Sequence, residues 1–63
     1  MESNYWVEYI ENGFHCSDSW AIKTIADEIR AKEVEIIGIY MIYDDGDVSP
    51  YNVMDVFFDV WGN

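Results

Sequence analysis

"VEIIGIYMIY", residues 34–43, is the stretch from which the architecture of this chain can be worked out. Most of its positions hold β-branched or aromatic residues, which favours a β-strand. Side chains alternate along a strand, so its two faces read Val34, Ile36, Gly38, Tyr40, Ile42 and Glu35, Ile37, Ile39, Met41, Tyr43. Both faces are mainly apolar, and a strand of this kind is normally covered on both sides. The other residues of the chain must therefore supply that cover.

The residues before this stretch predict a β-hairpin. Residues 4–10 are rich in aromatic and β-branched side chains, and Asn12-Gly13 follows them. An Asn-Gly pair suits a type I′ turn, because both central residues of that turn need positive φ. Residues 14–17 would then form a short return strand.

An amphipathic helix is predicted next. Apolar residues recur at Ile22, Ile25, Ala26 and Ile29, a spacing that places them on one face of a helix. A side-chain oxygen nearby can accept a hydrogen bond from a free amide of the first turn, and the candidates are Ser17, Asp18 and Ser19. We expect the helix to run from about residue 18 to residue 32.

The C-terminal segment, residues 50–61, has two interpretations. Its valine, phenylalanine, tyrosine and tryptophan residues favour a strand, returned antiparallel by a loop that starts at Asp45-Gly46. The alternative is a helix with Ser49 as its cap, Pro50 at its first position and Gly62 at its end. We favour the strand; a second helix could instead cover the free face of the sheet.

The preferred architecture is a single α+β domain over residues 1–63. It consists of a β-hairpin, a helix and a second β-hairpin, which make a small antiparallel sheet with one helix packed on one face. The alternative makes residues 50–61 helical. In the preferred arrangement the second face of the sheet keeps an apolar patch rimmed by carboxylates. Small proteins seldom leave such a patch uncovered, so it indicates self-association or a partner.

The charge of the chain is strongly negative and unevenly distributed. Thirteen acids oppose three lysines and arginines, giving a net charge of −10. Residues 34–63 contain six acids and no lysine or arginine, whereas all three basic residues fall within residues 23–33. Such a field repels nucleic acid and anionic lipid and steers the protein toward basic surfaces. We therefore expect a basic protein partner, with neither direct nucleic-acid binding nor membrane binding.

The sequence carries no pattern typical of catalysis, metal binding or cofactor binding. Cys16 is the single cysteine and His15 the single histidine, which leaves no intramolecular disulfide and no zinc cluster. The spacing of Asp44, Asp45 and Asp47 does not fit a calcium-binding EF-hand loop. No phosphate-binding glycine loop or nucleophile motif is present. We predict a non-enzymatic protein without a cofactor, and, since neither a signal peptide nor an apolar span is apparent, a cytoplasmic one.

In size and charge, the chain resembles the very small acidic inhibitors that phages and plasmids encode against host nucleases, CRISPR complexes, restriction enzymes and uracil-DNA glycosylase. The resemblance implies an inhibitor, encoded by a phage or another mobile element, that mimics nucleic acid and acts in the host cytoplasm. Its partner would be a basic, nucleic-acid-binding host protein. Binding of this kind should weaken as salt rises.

The predicted partner-binding residues combine charge with apolar contact area. The carboxylates would speed association with a basic surface, and the aromatic side chains would supply buried contact. The predicted set is Asp44, Asp45, Asp47, Asp55, Asp59, Tyr43, Phe57 and Trp61. The alternative function is a small homodimeric structural or regulatory module, without nucleic-acid mimicry, in which the free sheet face forms the dimer and the acids maintain solubility.

Overall fold

A computed structural model describes residues 4–62 and shows a small antiparallel sheet with two helices. In chain order the elements are β1 (Asn4–Glu11), β2 (Phe14–Ala21), α1 (Ile22–Ala31), β3 (Glu35–Met41) and α2 (Met54–Trp61). The strands lie in the order β2-β1-β3, with both neighbours of β1 antiparallel to it. The predicted α+β class is confirmed.

The hairpin turn forms as predicted, but the strand after it is longer. Asn12 and Gly13 have φ values of 53° and 82°, as a type I′ turn requires. β2 pairs with β1 from Phe14 to Ala21, so the predicted caps, Ser17, Asp18 and Ser19, lie in the strand. α1 begins directly at Ile22, and Ala21 makes no side-chain cap. The eight-residue ladder outweighs the one hydrogen bond that a cap would add.

The preference for a strand in the C-terminal segment was wrong, and the helical alternative is right. α2 spans Met54–Trp61, and the Gly62 amide closes it by donating to the Phe58 carbonyl at 2.8 Å. Ser49 and Pro50 do not start it, because residues 48–53 first run along the outer edge of β3. As a helix, the segment packs one apolar side on a face of the sheet. An added strand would only extend the sheet at its edge and would not cover that face.

Both helices cover the same face of the sheet. Side chains from the strands, α1 and α2 form the core cluster Val7, Tyr9, Ile25, Ile29, Ile36, Ile39 and Phe57. The Phe57 ring lies edge-on to Tyr5, with centroids 5.0 Å apart, and stacks on Trp61 at 5.4 Å. α2 therefore does not cover the second face of the sheet, although a second helix could in principle have done so.

The outer edge of β3 is closed by the segment that leads to α2. The Asn52 side chain accepts from the Ile39 amide at 3.1 Å and donates to the Ile37 carbonyl at 3.3 Å. The Val53 amide donates to the Ile39 carbonyl at 2.7 Å, and the Ser49 amide to the Met41 carbonyl at 2.8 Å. The Ile39 amide and the carbonyls of Ile37, Ile39 and Met41, all on the outer edge of β3, are thus paired within the same chain.

Candidate protein-binding surface

The first part of the candidate surface is the acidic turn, which we define as residues 43–47. The Gly46 amide donates to the Tyr43 carbonyl at 2.9 Å, and the Tyr43 amide to the Asp47 carbonyl at 2.8 Å. The Asp47 amide also donates to a carboxylate oxygen of Asp45 at 3.0 Å. These bonds hold the backbone in a tight turn while Tyr43, Asp44, Asp45 and Asp47 remain exposed. The turn therefore presents three carboxylates on a fixed backbone beside an exposed aromatic ring.

The second part is the outer face of α2, defined as Asp55, Val56, Asp59 and Val60. Asp55 and Asp59 are four residues apart, so they lie one above the other on the helix surface. Val56 and Val60 form the adjacent row and are 62% and 61% exposed. Carboxylates and apolar side chains therefore stand side by side on the solvent side of a helix. The predicted strand for this segment would have put these acids on a sheet, whereas they lie on a helix.

Two of the eight predicted residues do not belong to an open surface. Phe57 is only 6% exposed and lies in the core, because α2 turns it toward Tyr5 and away from solvent. Trp61 is half-buried and packs against the core cluster through its contact with Phe57. Phe57 is therefore a structural residue, and the prediction that it contacts a partner is corrected. The five aspartates and Tyr43 are exposed.

Apolar side chains that the sequence interpretation did not include are also exposed in this part of the chain. Tyr51 is 73% exposed, and Val48 is 41% exposed. Val56 and Val60 were missed because a strand pattern assigns them to the same face as Phe58. The helical pattern would have found them, since residues 55, 56, 59 and 60 share the side of α2 opposite Met54, Phe57 and Trp61.

The helix-free face of the sheet is more polar than predicted. Trp6, Glu8 and Ile10 lie along it on the central strand, and all three are half-buried. The Tyr40 ring lies across Gly38, where an added β-carbon would come within 2.8 Å of a ring atom. Glu8, opposite Ser17 and Gly38, separates the two apolar side chains of its own strand. None of the five predicted aspartates is on the three strands, so the expected rim of those carboxylates is not found.

Two open cavities lie near the ends of β3. The larger, of about 330 Å³, lies where α1 ends and β3 begins; its apolar lining includes Ile29, Val34, Ile36 and Phe58. The smaller, of about 300 Å³, lies between Asn4, Tyr5 and residues 41–44. In residues 4–62, no three histidine, cysteine or acidic side chains are grouped closely enough to hold a metal ion.

Comparison with protein-family models, curated proteins and solved structures finds no match for this chain. Neither helix in residues 4–62 has the length and apolar character needed to cross a membrane.

Proposed function

We propose that this protein is a non-enzymatic inhibitor that binds, through its acidic turn and the outer face of α2, to a basic nucleic-acid-binding surface of another protein. By occupying that surface, it would exclude the nucleic acid. This function is that of the small acidic inhibitors that the chain resembles in size and charge.

The observation that carries the proposal is the separation of charge between two parts of the chain. Asp44, Asp45, Asp47, Asp55 and Asp59 are all exposed, and the sequence has no lysine or arginine after Lys32. The basic residues are confined to α1 and its C-cap. Acids that served solubility alone would be interspersed with bases over the whole surface. The separation favours attraction to a partner of the opposite sign.

The neighbouring apolar side chains suit the second requirement of a binding surface, which is contact area. Tyr43, Tyr51, Val56 and Val60 are exposed close in sequence to the carboxylates. Charge steers the encounter, whereas buried aromatic and aliphatic contacts slow dissociation. An interface of about 800 Å² per partner would use roughly a sixth of the 4591 Å² of accessible surface. The molecule measures only 31 × 25 × 20 Å, so one partner can reach both parts of the surface.

The proposal is tested by competition. Immobilised protein captures partners from a cell lysate at low salt, and a random-sequence DNA duplex is then added. We expect the captured proteins to be nucleic-acid-binding proteins that the duplex displaces and that rising salt releases. Captured proteins that stay bound in the presence of DNA would contradict the proposal.

A pair of variants with the same net charge separates a specific surface from charge in general. Asp55→Asn with Asp59→Asn removes two charges from α2, and Asp27→Asn with Glu33→Gln removes two exposed charges from the segment that contains the bases. We expect the first variant to lose at least about tenfold in affinity for the captured partner, and the second to lose much less. Equal losses would show that only net charge matters.

A further inference from the structure

We propose that two copies of this chain pair through the outer edges of β2, which joins the two sheets into one antiparallel sheet of six strands. The β2 edge is a different surface from the acidic turn and the outer face of α2. Dimerisation through it does not depend on the proposed function.

The two edges of the sheet differ in a way that points to this pairing. The β3 edge is closed by Asn52, Val53 and Ser49, as described above. β2 forms a ladder with β1 only. Glu11 and Phe14 flank a two-residue turn and form the first hydrogen-bonded pair of the ladder. Along the ladder, hydrogen-bonded pairs then alternate with pairs that are not hydrogen-bonded. The main-chain groups that point away from β1 are therefore those of His15, Ser17 and Ser19.

An edge with unpaired amides and carbonyls is a template for another strand. One open edge per chain allows a closed two-fold dimer, whereas two open edges would allow continued addition. β2 is also the least covered strand, since Phe14, His15, Ser17, Asp18 and Ser19 are all exposed. The helices therefore leave room for a neighbouring strand beside it.

The strand that pairs with the β2 edge comes from a second copy of this chain, because β2 fits another β2 better than it fits a basic partner. β2 has one acid, Asp18, whereas α2 and the acidic turn hold five of the six acids in residues 34–63. A basic partner would be drawn to those other surfaces. A second copy would meet a strand that carries one acid, on a protein that is otherwise strongly negative.

The side chains select one register. Only residues whose main-chain groups point outward can form the new hydrogen-bonded pairs, so Ser17 opposite Ser17 of the partner is allowed. In that register Phe14, which is 72% exposed, lies opposite the partner's Trp20, and this contact occurs twice by symmetry. Shifting the partner by two residues one way would place two copies of Asp18 opposite each other. Shifting it the other way would place Phe14 opposite Asp18.

A face-to-face dimer through the helix-free side of the sheet is less favourable. Glu8 is at the centre of that side, between Trp6 and Ile10. A two-fold contact there would bury two copies of this carboxylate, and none of the three strands holds a lysine or arginine. Edge pairing leaves Glu8 in contact with solvent.

Sedimentation of the intact chain over micromolar to submillimolar concentrations tests the pairing. We expect a monomer–dimer equilibrium that shifts toward dimer as salt rises, because screening weakens the repulsion between two chains of charge −10. Binding to a basic partner has the opposite salt dependence, so the two proposals cannot be confused. A chain that remains monomeric at high salt and submillimolar concentration would leave the edge to a foreign strand and overturn the inference.

Two edge variants locate the contact. Ser17→Pro removes an outward amide that β1 does not use, and Ser17→Thr keeps it and is the matched control. Phe14→Ser, at a side chain that is exposed in the monomer, should raise the dimer dissociation constant at least about tenfold. Circular dichroism checks that each variant is folded. A dimer that neither Ser17→Pro nor Phe14→Ser weakens would use another surface and would refute edge pairing.

Cross-linking tests the register. In a Cys16→Ser background, Ser17→Cys should form a disulfide-linked dimer under mild oxidation, because residue 17 faces its own copy across the two-fold axis. In the unaltered chain, Cys16 lies opposite Asp18 of the partner and should cross-link slowly. Rapid linkage through Cys16 with none through residue 17 would show that the register is wrong.

Discussion

Asn52 is the residue at which the closed edge of the sheet and the start of α2 meet. Its side-chain oxygen accepts from the amides of Ile39 at 3.1 Å and Met54 at 3.0 Å, while its amide group donates to Ile37. We expect Asn52→Ala to destabilise the fold by about 2 kcal/mol, because it leaves main-chain groups of both elements without partners. Asn52→Asp keeps the acceptor oxygen but not the donor, so its stability should lie between those of the unaltered chain and Asn52→Ala. Thermal unfolding measures both, with Asn4→Ala as the control; equal effects at residues 4 and 52 would contradict this role.

We expect Tyr9 to make the stability of the fold decrease at alkaline pH. Burial, together with the negative charge of Asp18, raises the pKa of Tyr9 above its ordinary value of 10.0. The folded chain therefore holds this proton more tightly than the unfolded chain does. The resulting stability is complete below about pH 10 and is lost as the pH rises through the folded-state pKa. This contribution should be visible in urea unfolding measured over that range.

Tyr9→Phe should flatten the alkaline fall in stability, since the variant has no phenol to ionise at the core. Tyr51→Phe is the matched control, because Tyr51 is 73% exposed and its ring contacts solvent in the folded chain. An alkaline profile that stays the same in Tyr9→Phe would mean that another group is responsible.

At the scale of the element, α2 has one side that packs in the core and one side that is exposed. Phe57 is 6% exposed and Val56 is 62% exposed. We expect Phe57→Ala to cost about 3–5 kcal/mol, which approaches the whole stability of a small domain, and Val56→Ala to change stability by less than about 0.5 kcal/mol. Urea unfolding followed by circular dichroism measures both. Similar losses for the two would mean that α2 is oriented differently.

At the scale of the whole molecule, the net charge of −10 opposes compaction. Screening by salt should therefore raise the urea midpoint, with the slope of unfolding unchanged, up to about 0.5 M sodium chloride. Replacing Asp44, Asp45 and Asp47 together by asparagine should raise the midpoint at low salt and reduce the response to added salt. A midpoint that falls with salt would indicate that attractive charge pairs dominate instead.

The fold and the candidate site could be predicted from the sequence wherever the physical cause is local. Positive φ at Asn12 and Gly13 is a property of those residue types, and the spacing of Ile25 and Ile29 fixes which side of α1 is buried. The acids of the second half of the chain, which charge alone predicts to be on the surface, are indeed exposed at all five proposed positions.

Only the tertiary structure decided what depends on packing between distant segments. The preference of valine, phenylalanine and tryptophan for strands is worth at most about 1 kcal/mol per residue and depends on the surroundings, whereas the burial of Phe57 against Tyr5 comes from packing between distant segments. That choice moved Phe57 into the core, brought Val56 and Val60 to the surface, and freed residues 48–53 to close the β3 edge. Pairing between segments distant in the sequence decides which edge of the sheet remains open. No local sequence pattern predicts it.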